Sequence, residues 1–267
     1  MGVETNRFPI TLVLATDGSE NTAQATRAAV DIASRRGSKI VKGELRRQEC
    51  ETLDEEVKRI QEEGGTVTRS HLREGRTFEE AIGSSEKIAA DLLVVGSRGH
   101  SGLRRILMGS NSEDIVHHAH RPVLVVRSGE NVWPPTRVVA GDDFSEVAGK
   151  AATLAANLGN MFGAHMLLLH AVRQLPRASG EAVEAKLEDR AGELEVLLQQ
   201  RPETRVVAGD PAEVLLGAAR EGERPTLVAV GSRGLGPVGR LRMGSVSTRV
   251  IRAGPGAVLV YPPAGER

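Results

Sequence analysis

The residues best placed to do chemistry are glycines and serines that occur twice at one spacing. Gly96-x2-Gly99-x9-Gly109-Ser110 in the first half of the chain returns as Gly231-x2-Gly234-x9-Gly244-Ser245 in the second. Over these fifteen positions, eight are identical. Each copy follows a short apolar run, Leu93-Val94-Val95 or Val228-Ala229-Val230. Glycines at a strand end let backbone N–H groups approach an anion with no Cβ in the way. A helix that opens at Gly-Ser adds further N–H groups and a partial positive charge. The chemistry is phosphate binding, to which Arg98, Arg105, Arg233 and Arg240 can add charge. The structural alternative makes the glycines helix caps, with Ser110 as N-cap and Glu113 completing a capping box. Two copies at the same spacing favour binding.

An acid ends the first strand of each half. Asp17 and Asp143 can point into a crevice and accept hydrogen bonds from a ribose or a base. Alternatively, Asp17-x-x-Glu20 and Asp143-x-x-Glu146 are helix N-caps with an acid at the third position. Asp142 has Thr16 as its counterpart, so it is expected to be a solvated loop acid rather than a metal ligand.

Other motifs carry less. Gly234-Leu235-Gly236-Pro237-Val238-Gly239 fits G-x-G-x-x-G, but the first half lacks it and no acid stands near position 259. His117-His118-Ala119-His120 looks metal-like, yet its second-half counterpart has no histidine. Cationic side chains at a helix C-terminus explain it. Cys50 has no histidine neighbour and makes a poor nucleophile. There is no G-x-x-x-x-G-K-[ST] loop. No catalytic residue and no metal ligand is expected.

Strands and helices alternate along both halves. Strand signals lie at Ile10–Ala15, Thr66–Leu72, Leu92–Val95 and Val123–Val126, then at Arg137–Ala140, His165–Val172, Arg205–Val207, Leu227–Val230 and Ala257–Tyr261. Helical spacing occupies Thr22–Arg35, Glu49–Glu63, Phe78–Ala89 and Ser112–His118. It returns at Val147–Leu158, Glu181–Gln200, Ala212–Ala219 and Ser247–Arg252. This is an α/β pattern: parallel strands covered by helices on both faces. Thr16 aligns with Asp142, an offset of 126, and Gly96 with Gly231, an offset of 135. The extra residues fall around Arg173 to Gly180. The halves read as a duplicated domain, 1–130 and 131–267, divided in Ser128–Thr136 where Gly, Asn and paired Pro break any element.

Composition narrows the function classes. The 35 Lys and Arg balance 35 Asp and Glu, so no field draws in a nucleic-acid backbone. Aromatics at 2% give no stacking platform for bases. One cysteine, no apolar leader in Met1 to Pro9 and no membrane-spanning run point to a cytoplasmic protein without membrane partners. The 30 glycines in 267 residues exceed the usual ~7% and suit tight loops near a ligand.

The strand–Asp start, the Gly-x2-Gly-x9-Gly-Ser element and the closing run Pro122–Val126 together resemble the universal stress proteins. The likeness covers both halves. It implies two tandem doubly wound domains, each a five-stranded parallel sheet of order 3-2-1-4-5, and a member of the ATP-binding branch. It implies ATP, with magnesium, as the ligand. By the resemblance Asp17 and Asp143 contact ribose or adenine. Gly96, Gly99, Gly109 and Ser110 hold phosphates, as do Gly231, Gly234, Gly244 and Ser245. Adenine meets backbone near Ala171-Val172. The last strands of the halves pair into a pseudo-dimer within one chain, with a homodimer of chains as a further step.

The first half departs from the pattern at its second strand. Ser38–Arg46 is charged and interrupted by Gly43, whereas Ala164–Val172 is nearly all apolar. Leu45 and Arg46 take the adenine-facing positions, and Arg46 is a poor wall for a base. The expected function is a nucleotide-binding stress-response or signalling protein with at most slow ATP hydrolysis, its tighter site in the second half. The rivals are an adenylating enzyme, although Ala15-Thr16-Asp17-Gly18-Ser19 lacks the paired glycines of that class, and a ligand-free interaction module.

Overall fold

The computed structural model describes residues 11–16, 19–36, 39–44, 57–58, 60–62, 67–72, 77–97, 109–172, 180–221, 225–233 and 243–263. The first half contributes β1 (Thr11–Thr16), α1 (Ala23–Arg36), β2 (Lys39–Glu44), β3 (Val67–Leu72), α2 (Thr77–Lys87), β4 (Leu92–Gly96), α3 (Ser110–His118) and β5 (Val123–Val126). The second contributes β6 (Arg137–Gly141), α4 (Glu146–Met161), β7 (His165–Val172), α5 (Gly180–Leu198), β8 (Glu203–Ala208), α6 (Pro211–Arg220), β9 (Thr226–Gly231), α7 (Ser245–Ala253) and β10 (Ala257–Tyr261). Of the helix expected at Glu49–Glu63, the described residues 57–58 and 60–62 are helical. No helix among the described residues is long and apolar enough to cross a membrane.

The strands form one ten-stranded sheet of order β3-β2-β1-β4-β5-β10-β9-β6-β7-β8. Numbered within its own half, each set of five runs 3-2-1-4-5, and all pairs within a half are parallel. Alternate residues of the central strands serve opposite faces. Leu12, Leu14, Leu92 and Val94 join α1, α4 and α5 in one core, while Val13, Ala15, Leu93 and Val95 join α2, α3, α6 and α7 in the other. With helices on both faces, these strands need apolar residues at every position. Order reverses between β1 and β4, and again between β6 and β9. Each reversal opens a crevice at the carboxyl ends of the strands, where ligands of such sheets bind.

The halves are joined by β5 and β10, which pair antiparallel from Val126 opposite Ala257 to Val123 opposite Val260. Each strand would otherwise leave an open edge. Side chains reinforce the seam. Arg127 donates from Nη2 to the Ile251 carbonyl at 2.6 Å in a buried bond. Arg252 of α7 pairs with Glu113 of α3. Trp133 lies between the two sets of strands, buried, and donates from Nε1 to Asp31 of α1 at 3.0 Å. Its ring meets Phe162 edge-on at 5.1 Å, and Arg35 covers that phenylalanine at 4.7 Å.

Candidate functional site

In the second half the carboxyl ends of β6, β7 and β9 and the starts of α4, α6 and α7 enclose a cleft of about 520 Å³. Asp143, Gly231, Gly244 and Ser245 line it, with Arg233 beside them. Leu169, Ala171, Leu215, Val230, Met243 and Val246 supply apolar walls. Val172 ends β7 one residue past Ala171, and its carbonyl accepts the Gly209 N–H at 2.8 Å. Gly234 lies outside the described residues, as does Arg240. In the first half Gly96, Gly109 and Ser110 occupy equivalent places at the end of β4 and the start of α3. Asp17, Gly99, Arg98, Arg105, Leu45, Arg46 and Cys50 lie outside the described residues.

The start of α7 is built without a side-chain cap. Gly244 is the N-cap and Ser245 the first helical residue. The first bond of the helix runs from the Thr248 N–H to the Gly244 carbonyl, at 3.0 Å. The N–H groups of Ser245, Val246 and Ser247 therefore have no acceptor within the helix, and all three residues line the cleft. The start of α3 repeats this, with Gly109 as N-cap and the Glu113 N–H bonded to its carbonyl at 3.0 Å. The capping-box alternative is thereby corrected. Ser110 is not the N-cap, and the Glu113 carboxylate turns outward to Arg252 and His117. A helix whose cap has no oxygen keeps its first donors for something else.

The glycines divide by role. The Gly244 N–H already donates to the Ser232 carbonyl at 2.8 Å, as Gly109 does to Ser97. Among the described residues, the N–H groups left without an acceptor are therefore those of the helix turn and not of these two glycines. A Cβ on Gly231 would stand 3.0 Å from Val147 Cγ1, 3.1 Å from the Arg233 carbonyl oxygen and 3.2 Å from the Ala148 nitrogen. On Gly96 it would meet Thr22 Cγ2 at 2.7 Å. Gly231 lets the start of α4 lie close on the end of β9, and Gly96 lets the turn before α1 lie close on the end of β4. On Gly244 a Cβ would find its nearest atom at 3.4 Å, an ordinary contact. Gly231→Ala is thus expected to destabilise the fold by about 1–3 kcal/mol through overpacking against backbone atoms. Urea denaturation measures this, and an unchanged midpoint would show that α4 yields without cost.

Two serines not singled out in the sequence hold the helix starts in place. Ser247 Oγ donates to the Gly231 carbonyl at 2.7 Å, and Ser112 Oγ to the Gly96 carbonyl at 2.7 Å. Each sits two residues past the serine of the motif, so Gly-Ser-x-Ser in both copies was the available signal.

The acids at the end of β6 behave differently from each other. Asp143 lines the cleft and its Oδ1 accepts the Ser145 N–H at 3.1 Å. It is not the cap of α4. Ser145 is, accepting the Ala148 N–H at 3.1 Å. Asp142 is the opposite of a solvated acid: the residue is 3% exposed. Its Oδ1 accepts the Phe144 N–H at 2.7 Å and its Oδ2 lies 3.1 Å from Arg190 Nε. Burial pushes its carboxyl above the usual range, against the pull of the Phe144 N–H and of Arg190. At the equivalent place in the first half, Thr16 shares a 2.8 Å hydroxyl bond with Thr22.

Family comparison settles the lineage. The model of the universal stress protein family matches residues 41–127 and again 135–262. The chain belongs to the universal stress protein family. This universal stress protein is 30% identical over 211 residues to one from Mycolicibacterium smegmatis, covering 74% of this chain and 70% of that one. It is 33% identical over 137 residues to one from Methanocaldococcus jannaschii, covering 43% of this chain and 81% of the other. Among solved structures, a universal stress protein from Archaeoglobus fulgidus aligns with 96% of this chain and 98% of its own at a TM-score of 0.70 and 23% identity. Two matched stretches in one chain agree with two sets of five strands.

Proposed function

We propose that this universal stress protein binds ATP in the second-half cleft, as a stress-response or signalling protein rather than a dedicated catalyst. The observation that carries the reading is the start of α7. Its first three residues, whose N–H groups have no acceptor within the helix, line a cleft behind a cap that nothing among the described residues requires to be glycine. The triphosphate lies against Ser245, Val246 and Ser247, with Arg233 in reach of its charge. The ribose or base meets Asp143, and the apolar walls from Leu169 to Met243 take the base face. Magnesium arrives with the phosphates, as is usual for that ion. Among the described residues no cluster of His, Cys, Asp and Glu is suited to hold a metal. Gly234 belongs to the same phosphate loop in this reading, and Asp17, Gly96, Gly99, Gly109 and Ser110 form the second site.

The two sites differ in strength. β7 gives apolar Ala171 to the cleft wall, whereas the sequence of the first half has Leu45 and the charged Arg46 at the corresponding positions. Losing a good base wall weakens binding by ~1–3 kcal/mol, about tenfold to two-hundredfold. Calorimetry with magnesium ATP on Asp143→Ala and Asp17→Ala variants checks the ranking. Asp143→Ala should remove the tighter site and Asp17→Ala only the weaker. The reverse assignment would overturn the ranking.

A further inference from the structure

The loop that carries Asp143 is pinned on both sides by hydrogen bonds and a ring contact. Before it, the Asp142 N–H donates to the Leu169 carbonyl at 2.9 Å, and the Asp142 carbonyl receives His170 Nδ1 at 2.6 Å. A carbonyl only accepts, so Nδ1 carries the proton. After it, Phe144 sits at a φ of 65°, a left-handed conformation uncommon outside glycine. The Phe144 N–H is held by Asp142 Oδ1, and its ring stacks on His170 at 4.4 Å. The Asp142 carboxylate is itself held by Arg190, which reaches in from α5. Lys186, one turn earlier on α5, stands 5.8 Å from the Phe144 ring. Gly149 of α4 leaves a notch for the guanidinium: a Cβ there would lie 2.5 Å from Arg190 Nη1.

We propose that Arg190 and Asp142 are positioning residues, a half-buried guanidinium on a buried carboxylate that orients Asp143 toward the ligand and couples α5 to the second-half cleft. The inference rests on the nucleotide reading of that cleft. An isolated buried carboxylate would be costly, and Arg190 supplies the opposite charge 3.1 Å from an Oδ2 that accepts no hydrogen bond among the described residues. With the pair intact, Asp142 holds the Phe144 N–H and the loop carries Asp143 at the cleft. With it broken, the left-handed residue loses its support and the acid loses its aim. At the place of Asp142 the first half has the neutral Thr16, whose hydroxyl bonds that of Thr22, so this charged pair belongs to the second-half site. The charged and titratable groups that face Asp142 are Asp143 on its own loop, His170 from β7 and Arg190 from α5. Because burial raises its titration, falling pH neutralises Asp142 before an exposed aspartate and removes the hold of Arg190.

The test uses the full chain with Arg190→Met, Asp142→Asn, the double variant and Gly149→Ala. Calorimetry with magnesium ATP should show the second-half site weakened by roughly tenfold to a hundredfold in each single variant, the usual range for losing an outer partner that orients a ligand-touching group. The double variant should be no weaker than either single, and the first-half site unchanged. Gly149→Ala is informative because helix propensity alone favours alanine; displaced Arg190 should weaken binding nonetheless. Affinity at the second-half cleft should fall with falling pH in the unmodified chain and stay flatter in Asp142→Asn. Amide exchange at Phe144 and Ser145, measured without nucleotide, should quicken in Arg190→Met. Lower melting temperature with affinity, pH profile and these amides all unchanged would reduce the pair to a structural role and overturn the proposal. If the unmodified chain binds no ATP in this cleft, the nucleotide reading fails by itself. Exchange at Phe144 and Ser145 then decides the positioning role: quickened exchange upholds it and unchanged exchange overturns it.

Discussion

Gly244→Val should abolish ATP binding at the second-half cleft while leaving a folded protein. Gly244 sits at φ −63° and ψ 153°, extended backbone that any residue adopts. Its added Cβ would lie 3.4 Å from the Ser232 carbonyl oxygen and 3.7 Å from Ser247 Oγ, so the fold accommodates it. Valine is a poorer N-cap than glycine, and the stability cost is of order 1 kcal/mol. The ligand fares worse. The branched side chain stands at the mouth of the helix turn, where the Ser245, Val246 and Ser247 N–H groups would meet phosphate. A loss of at least about a hundredfold, roughly 2.7 kcal/mol, is expected. Gly244→Ala should fall between the two. Calorimetry on variants shown by circular dichroism to be folded decides the matter, and unchanged affinity would remove the phosphate role from this turn.

Trp133→Ala should cost about 3–5 kcal/mol of stability, the range for deleting a large buried aromatic. The residue is 3% exposed and belongs to neither set of five strands. It bonds Asp31 on α1 of the first half and packs on Phe162 at the end of α4 in the second. Removing it empties a site at the seam and leaves Asp31 without its Nε1 donor. Trp133→Phe should cost less, since it keeps most of the ring and loses the bond worth about 1 kcal/mol. Urea denaturation followed by far-ultraviolet circular dichroism separates them. If Trp133→Ala unfolds at the midpoint of the unmodified chain, the seam is held without Trp133, by β5, β10, Arg127 and the Arg252–Glu113 pair.

Much of this architecture is legible in the chain. Apolar runs such as Leu92–Val95 and Leu227–Val230 mark buried parallel strands because both faces are covered. The duplicated glycine spacing marks the strand-to-helix turns. The Gly-Ser motif marks the openings of α3 and α7 where they occur, but the helical spacing is first read at Ser112 and Ser247, two residues late. The reason is that both helices begin on glycine caps, which give no side-chain signal. The role of Asp142 is hidden for a different reason. Its surroundings are set by Arg190, and local sequence around Asp142-Asp143 resembles any polar loop. Gly231 and Gly244 look alike in the motif, yet one is required by the approach of α4 and the other by nothing in the described protein. Only three-dimensional packing tells them apart.

The most direct test of the central claim is amide hydrogen exchange of the full-length protein with and without magnesium ATP. A helix N-terminus that binds phosphate gives its free N–H groups an acceptor they otherwise lack. Slowed exchange at Ser245, Val246 and Ser247, together with Asp143 and Ala171, is the result the account predicts. Saturating ATP that leaves these amides unchanged, or that protects a different surface, would contradict it.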